Sequence, residues 1–231
     1  MATSEIFDIL LSGHNRRAVV MCDGTPPSNE LLQSCLDGAD LFACTDRAGW
    51  PHDQLPRRPD VVIGDLDTLG GIPNNPHSAT HYILDENQNT TDTEKALIHA
   101  ANQGCTQALL LGATGGHLDH TLANCALPER FASTIQTMLI SDFGMTLHIP
   151  ANQPTSWALP IGTQFSLMAI GRPAQDVTVT GARWPLLGDN VVWGGASTIS
   201  NEVTESLLTI NSASGSLLVT IRHTTSEKAT A

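Results

Sequence analysis

Two patterns of apolar residues divide the chain near residue 150, and this division constrains the fold more than any other feature. Before that point, short apolar runs alternate with segments that can form helices. The runs are Ala18–Met21, Leu41–Cys44, Val61–Ile63, Ala108–Leu111 and Met138–Ile140. Buried parallel strands are typically short and continuously apolar in this way. The first half is therefore predicted to be an α/β domain with a mostly parallel sheet.

Helices are expected between these runs. One is predicted over Ser28–Leu36, where Ser28 can accept a hydrogen bond from a free backbone N–H as an N-cap. Another is predicted over Thr91–Gln103, because Asp92 and Glu94 follow Thr91 and acidic side chains favour a helix N-terminus. A third helix is expected after His120.

The second half has no helical periodicity. Short β-prone runs, separated by Gly, Pro, Asn and Ser, occur at Gln164–Ala169, Asp176–Thr180, Val191–Trp193, Leu207–Ile210 and Ser216–Ile221. This pattern predicts a small antiparallel sandwich or barrel. The boundary is placed within residues 149–154, which gives predicted domains at 1–150 and 151–231, with a frayed tail over 224–231.

Charge and composition exclude several classes of function. The net charge of −12 argues against broad binding to nucleic acid or to an anionic membrane, since both need many Lys and Arg residues. No apolar run approaches the roughly 20 residues that a membrane-spanning helix requires, and the first residues do not resemble a signal peptide. Five cysteines without a CxxC pair predict no disulfide framework. We therefore expect a cytoplasmic protein.

Aspartates follow the predicted strands of the first half, where an open parallel sheet binds its ligands. They are Asp46, Asp65, Asp67, Asp92 and Asp119. Carboxylates of this kind suit Mg²⁺, which prefers oxygen ligands together with substrate phosphates, and one carboxylate could orient an attacking hydroxyl. Glycines at 64, 112, 115 and 116 would let the backbone approach a polyphosphate. Each aspartate could instead be an ordinary loop or helix-cap residue, and the glycines could simply form turns.

Other familiar motifs are missing from the sequence. There is no GxxxxGK[ST] loop, no GxGxxG and no GxSxG. His117 and His120 flank Asp119, but their spacing does not match a standard zinc site.

Five segments together resemble the thiamine pyrophosphokinase family. Gly64–Thr68 is similar to its GDxDS motif, Thr91–Ala96 to TDxxKA, Gly112–His120 to GxxGGRxDH, Thr180–Leu186 to TxGLKWPL and Ile199–Glu202 to SNE. The segments occur in the family order and cover most of the chain. The resemblance implies an α/β catalytic domain, a β-sandwich thiamine-binding domain, and a homodimer with active sites between subunits.

The resemblance also implies the reaction and its residues. Pyrophosphate would pass from ATP, the co-substrate, to the hydroxyl of thiamine, with AMP leaving. The implied catalytic residues are Asp65, Asp67, Asp92 and Asp119, of which Asp65, Asp67 and Asp92 would hold Mg²⁺. Binding of ATP and its phosphates is expected from Asp46, Gln88, Lys95, Gly112, Gly115, Gly116 and His117. The thiamine pocket would contain Trp184, Ser200 and Asn201, where an indole can attract an aromatic cation.

Two positions depart from the family motifs. The family usually has Asp-Gly-Gly where this chain has Asp46-Arg47-Ala48-Gly49, and His117 stands where the family has Arg. Either Asp119 or Asp92 could accept the proton of the attacking hydroxyl. Without the family resemblance, Trp184 could equally be a core residue of the sandwich.

Two other functions are compatible with parts of the sequence. The segment Val61–Asp67 resembles the strand and DxD of haloacid-dehalogenase phosphatases, in which Asp65 would be the nucleophile. However, Leu69 stands where that family has Thr or Val. A non-catalytic thiamine- or nucleotide-binding module is the second alternative, although a simple phosphate binder would favour Lys and Arg over aspartates.

Overall fold

The computed structural model describes residues 9–10, 16–46, 48–49, 51–72, 79–195 and 198–223. Contacts divide the chain into two compact units. The N-terminal unit is Leu11–Asp142, and the C-terminal unit is Phe143–Ala231 together with Met1–Leu10. Arg47 and the predicted tail at 224–231 lie outside the described residues.

Six strands form a parallel sheet in the N-terminal unit. They are β1 (Arg17–Met21), β2 (Leu41–Thr45), β3 (Val61–Gly64), β4 (His81–Leu84), β5 (Gln107–Leu111) and β6 (Gln136–Ser141). Their order is β6-β5-β1-β2-β3-β4, and every neighbouring pair is parallel. The predicted α/β domain is confirmed. Strand β4 was missed by the sequence pattern, because an edge strand in which all four residues are partly or fully exposed carries no continuous apolar run.

Within the described ranges of this unit, three α-helices accompany the sheet: α1 (Asn29–Leu36), α2 (Asp92–Asn102) and α3 (Leu118–Arg130). Ser28 caps α1 as predicted, accepting from the backbone N–H of Leu31. Thr91 and Glu94 form a capping box at the start of α2. Apolar residues of α2 pack into the core beside β1, β2 and β3. Helix α3 begins at Leu118, earlier than predicted, so that Asp119 lies in its first turn.

The described strands of the C-terminal unit form two antiparallel groups of four. Its strands are β7 (Gly144–Ile149), β8 (Thr155–Trp157), β9 (Gln164–Ala169), β10 (Ala174–Thr180), β11 (Leu186–Val191), β12 (Asn201–Glu202), β13 (Leu208–Asn211) and β14 (Leu217–Arg222). One group has the order β12-β9-β14-β7 and the other, a four-stranded sheet, has the order β11-β10-β13-β8. The smaller all-β domain is thus confirmed. The predicted run Val191–Trp193 is mostly turn, since Val192 accepts from the backbone N–H of Gly195 and Gly194 has φ 74°.

The division between the units falls before β7, whereas the sequence pattern placed the boundary after Ile149. The reason is that β7 pairs with β14 from Gly144↔Arg222 to Ile149↔Leu217. These partners are distant in sequence, so the local pattern gave no sign of them. Among the described residues, no helix combines the length and apolar character needed to cross a bilayer.

Candidate active site

A cleft of about 580 Å³ lies in the N-terminal unit, where the parallel strands end. Its lining includes residues that directly follow β1, β3 and β5, namely Cys22 to Gly24, Asp65 and Gly112. Parallel strands present their carboxyl ends at one edge of a sheet, which explains why residues far apart in sequence meet here. Nine of the predicted site residues line the cleft: Asp65, Asp67, Gln88, Asp92, Lys95, Gly112, Gly115, His117 and Asp119.

Three aspartates form a compact carboxylate cluster next to this cleft. One oxygen from each of Asp46, Asp65 and Asp67 lies within 4.8 Å of the other two. The sequence analysis assigned Asp46 to phosphate binding and placed Asp92 with Asp65 and Asp67 around the metal. The geometry brings Asp46 into the cluster, because β2 and β3 are neighbours and both end at this point.

Asp46 is held in an unfavourable environment for a lone carboxylate. It is 7% exposed, its φ is 41°, and its Oδ1 atom has no hydrogen-bond partner among the described residues. Burial raises the pKa of Asp46, and the neighbouring carboxylates raise it further, while a hydrogen bond from the Thr68 backbone opposes them. A buried carboxylate oxygen without a partner costs free energy, so this atom is suited to an electropositive ligand.

Asp65 differs from Asp46 in its electrostatics. A hydrogen bond from the Asp67 backbone N–H lowers the pKa of Asp65, and contacts with Gln88 and the charge of Lys95 contribute to the same effect. Asp65 is therefore ionised at neutral pH. The cluster consists of carboxylate oxygens alone, the donors that Mg²⁺ prefers. The donor set and the unpartnered oxygen of Asp46 both fit a divalent cation.

Asp92 and Lys95 form a pair beside this cluster. Lys95 is 4% exposed, and its Nζ atom donates to Asp92 Oδ1 at 2.9 Å and to the Asp85 carbonyl at 2.7 Å. A Cβ atom on Gly64 would lie 3.0 Å from the Asp92 carboxylate, so the glycine makes room for it. Since an ammonium group has three hydrogens, Lys95 keeps one donor beyond these two bonds.

Two glycine-containing loops close one side of the cleft. The loop after β1 is joined to the loop after β5 by backbone hydrogen bonds of 2.8 Å, from Gly24 to Gly112 and from Thr25 to Thr114. A Cβ on Gly24 would lie 2.3 Å from the Gly112 carbonyl, and one on Gly115 would lie 1.9 Å from Thr25 Oγ1. These glycines are therefore required for the close approach of the two loops.

The first turn of α3 forms another wall. Asp119 accepts from the backbone N–H of His120 at 3.0 Å, and Asn124 donates to the Ala113 carbonyl at 2.9 Å, which attaches the helix to the glycine loop. His117 and His120 have ring centroids 5.8 Å apart. Among the described residues they do not join Asp119 in a three-ligand metal group, so the geometry gives no support for zinc.

Some residues of the cleft were not selected from the sequence. Asp23 and Gly24 follow β1 in the same way that Asp65 follows β3, and this position was the available signal. Asn124 had no sequence signal, because its role depends on contact with a loop. Cys22 also lines the cleft, but burial raises the pKa of its thiol to about 12, so it stays protonated. All five cysteines are free.

The C-terminal unit contains a second cavity of about 420 Å³. The three residues predicted for thiamine binding all line it: Trp184, Ser200 and Asn201. Trp184 is 55% exposed, so it is not part of the sandwich core, unlike Trp157, which is 5% exposed. The Arg183 guanidinium lies 5.0 Å from the centre of the Trp184 ring. The remaining lining residues are mostly apolar: Leu167, Leu186, Thr198 and Ile199.

Comparison with known proteins gives matches over both units. A family model described as "Thiamin pyrophosphokinase, catalytic domain" matches residues 28–140, and one described as "Thiamin pyrophosphokinase, vitamin B1 binding domain" matches residues 145–217. The chain is 30% identical over 230 residues to "Thiamine pyrophosphokinase 1" of Arabidopsis thaliana, covering 88% of this chain and 85% of the relative. A rice relative of the same name is 30% identical over 174 residues, covering 68% of this chain and 64% of the relative.

Solved structures show the same fold. The thiamine pyrophosphokinase of Bacillus subtilis has a TM-score of 0.76 at 19% identity, covering 91% of this chain and all of its own. The yeast enzyme has a TM-score of 0.75 at 15% identity, covering 94% of this chain and 89% of its own. None of these matches supports the phosphatase or the non-catalytic binding module.

Proposed function

The chain belongs to the thiamin pyrophosphokinase family, and we propose that it transfers a pyrophosphoryl group from ATP to the hydroxyl of thiamine. The thiamine oxygen forms a bond to the β-phosphorus of ATP. The bond from this phosphorus to the oxygen bridging the α- and β-phosphates breaks, and that oxygen leaves with AMP. The hydroxyl proton passes to a base, and the other product is thiamine diphosphate.

The charge of the cleft is the observation that carries this proposal. Its lining contains one lysine, Lys95, and five aspartates: Asp23, Asp65, Asp67, Asp92 and Asp119. Such a surface repels a polyphosphate unless a cation lies between them. The cluster of Asp46, Asp65 and Asp67 is suited to hold that cation, which we propose to be Mg²⁺. Bound Mg²⁺ supplies charge neutralisation for phosphate oxygens.

The chain's own residues supply positioning. The glycine loops after β1 and β5 let backbone groups approach the phosphates closely, and the free hydrogen of Lys95 can be donated to a phosphate oxygen. Lys95 also orients Asp92, through the 2.9 Å bond. Positioning of this kind provides much of the rate enhancement in phosphoryl transfer. Gln88, Gly116 and His117 remain proposed phosphate contacts.

Two aspartates are candidates for the proton acceptor. Asp92 has one oxygen engaged by Lys95, which leaves its second oxygen available. Asp119 is exposed in the first turn of α3, where its carboxylate accepts from a backbone N–H. Asp92→Asn and Asp119→Asn, compared for kcat at saturating Mg²⁺, will identify the base as the residue whose loss removes the acidic limb of the kcat–pH profile.

We place thiamine at the cavity of the C-terminal unit. Trp184 offers a half-exposed indole face, which attracts an aromatic cation by about 0.5–2 kcal/mol. Phosphates and thiamine must meet for reaction, and the family resemblance implies that they do so between the subunits of a homodimer. We propose this assembly, and a cytoplasmic location, for the present chain.

Product analysis tests the proposal directly. Incubation with ATP, Mg²⁺ and thiamine should yield AMP and thiamine diphosphate in equal amounts, and omission of thiamine or addition of EDTA should abolish both. Release of inorganic phosphate without thiamine diphosphate would instead indicate a phosphatase. Binding of thiamine without any product would indicate the non-catalytic module.

A further inference from the structure

Ser200 lies at the cavity of the C-terminal unit in a backbone conformation that needs support. Its φ is 62°, in the left-handed region that residues other than glycine rarely adopt. Its backbone N–H donates to Ser166 Oγ at 3.0 Å. Its side-chain oxygen accepts from Arg222 Nη2 at 2.8 Å, so the loop is held at both the main chain and the side chain.

Arg222 comes from β14 and was not selected by any motif in the sequence. Its second guanidinium nitrogen, Nη1, donates to Gln164 Oε1 at 2.7 Å on the neighbouring strand β9. The two bonds fix the plane of the guanidinium, so the nitrogen that meets Ser200 is held in place. Strands β14 and β9 are adjacent in one sheet, which gives this arrangement a rigid base.

The bond from Arg222 also determines what Ser200 can offer to a ligand. Guanidinium groups only donate hydrogen bonds, and a serine hydroxyl has one hydrogen to donate. Because the serine oxygen is used as an acceptor, its hydrogen stays available for an acceptor in the cavity. A ring nitrogen of an aminopyrimidine is an acceptor of this kind.

Asn201 extends the same support to the wall of the cavity. Its Oδ1 atom accepts from the backbone N–H groups of Trp184 at 3.1 Å and Glu202 at 2.8 Å, and its Nδ2 atom donates to the Trp184 carbonyl at 2.7 Å. The amide is thus engaged with main-chain groups on both sides. Because Asn201 directly follows Ser200 in the chain, its hydrogen bonds connect the Ser200 loop to the main chain of Trp184.

We infer that Arg222 is a positioning residue for thiamine: it acts through Ser200 and contacts no substrate itself. This inference rests on the proposed function, because it assigns thiamine to this cavity. Loss of the Arg222 side chain should leave the hydroxyl of Ser200 and its loop without a fixed orientation. Thiamine binding should therefore weaken, whereas the KM for ATP should stay unchanged.

Arg222→Met keeps most of the apolar stem and removes both hydrogen bonds. We expect the KM for thiamine to rise about three- to tenfold, as for loss of one hydrogen bond, with the KM for ATP and kcat within about twofold of wild type. Arg222→Lys, which keeps a donor, should recover part of this loss. Arg172→Met is the matched control, since Arg172 is an exposed arginine of the same unit, and it should behave as wild type.

A double-mutant cycle with Ser200→Ala tests the route of the effect. If Arg222 acts through Ser200, the double variant should bind thiamine no more weakly than Ser200→Ala alone, whereas independent effects would multiply. Calorimetric titration with thiamine, without ATP, measures the thiamine affinity of each variant even if turnover fails. The inference can therefore be tested separately from the proposed reaction. An unchanged thiamine affinity in Arg222→Met, equal weakening of both substrates, or multiplicative effects in the cycle would overturn it.

Discussion

Replacing Asp46 with asparagine should stabilise the metal-free protein. Asp46 is 7% exposed, and one of its oxygens lies within 4.8 Å of oxygens from Asp65 and Asp67. Two unit charges at 4.8 Å repel by about 0.9 kcal/mol at the dielectric constant of water, and by about 3.5 kcal/mol at an effective value near 20. Because Asp67 is exposed and solvent screens it, we expect a net gain of about 1–2 kcal/mol.

Magnesium should reduce this difference in stability. A ligand at ten times its Kd stabilises the folded state by about 1.4 kcal/mol, and the variant lacks one of the charges that hold it. Thermal unfolding in EDTA and in MgCl₂ measures both effects, because 1 kcal/mol corresponds to about 2–4 °C for a chain of this size. The variant should unfold at the higher temperature in EDTA and should gain less from MgCl₂ than wild type.

Asp176→Asn is the matched control for this experiment. Asp176 also has a left-handed backbone, with φ 49° compared with 41° for Asp46, but it belongs to the C-terminal unit. The same chemical change there should alter neither the stability in EDTA nor the response to magnesium. A lower unfolding temperature for Asp46→Asn in EDTA, or an equal magnesium response in wild type and variant, would refute the electrostatic argument.

The raised pKa of Asp46 predicts how the difference in stability between Asp46→Asn and wild type in EDTA depends on pH. Burial is the largest cause, and neighbouring carboxylates add to it. An acid whose pKa is higher in the folded than in the unfolded state destabilises the fold while it is ionised. That penalty is present above the folded-state pKa and disappears as the pH falls through it toward the ordinary value of 3.8. The advantage of Asp46→Asn in EDTA should therefore shrink over the same range.

Three other substitutions, used in four experiments, give distinct outcomes. Asp67→Asn should lower kcat about 100-fold or more without unfolding the protein, as activity assays and circular dichroism will show. Trp184→Ala should raise the KM for thiamine about 2- to 30-fold and leave that for ATP unchanged; equal changes would support a structural role. Mixing these two variants should restore about a quarter of wild-type activity once subunit exchange is shown by tag pull-down, if sites form between subunits. Thr91→Ala should cost about 1 kcal/mol in urea unfolding, through loss of the α2 capping box.

Short-range features of the fold could be predicted from the sequence. The cap at Ser28 and the helix start near Thr91 depend on groups within three residues, and the structure places both as expected. The buried strands β1, β2, β3 and β5 were recognisable because each is a continuous apolar run between polar segments. The family motifs also identified most residues of the cleft, because the loops at strand ends are contiguous in sequence.

Features that depend on distant partners could not be predicted in this way. The apolar pattern could not show that β7 belongs with the C-terminal strands, because its partner β14 lies much later in the chain. It also missed β4, an edge strand whose residues are all at least partly exposed.

The residues of the two cavities were likewise predicted only in part from the sequence. The sequence pattern identified aspartates at strand ends, and the family resemblance identified a tryptophan suited to an aromatic cation. Only the tertiary structure shows that Asp46 lies beside Asp65 and Asp67. It also shows that Lys95 donates a hydrogen bond to Asp92 and that Arg222 donates one to Ser200. The sequence shows which side chains follow each strand, whereas the distances between these side chains depend on the order in which the strands pair. That order arises from packing of the whole sheet, and it decides which charges meet.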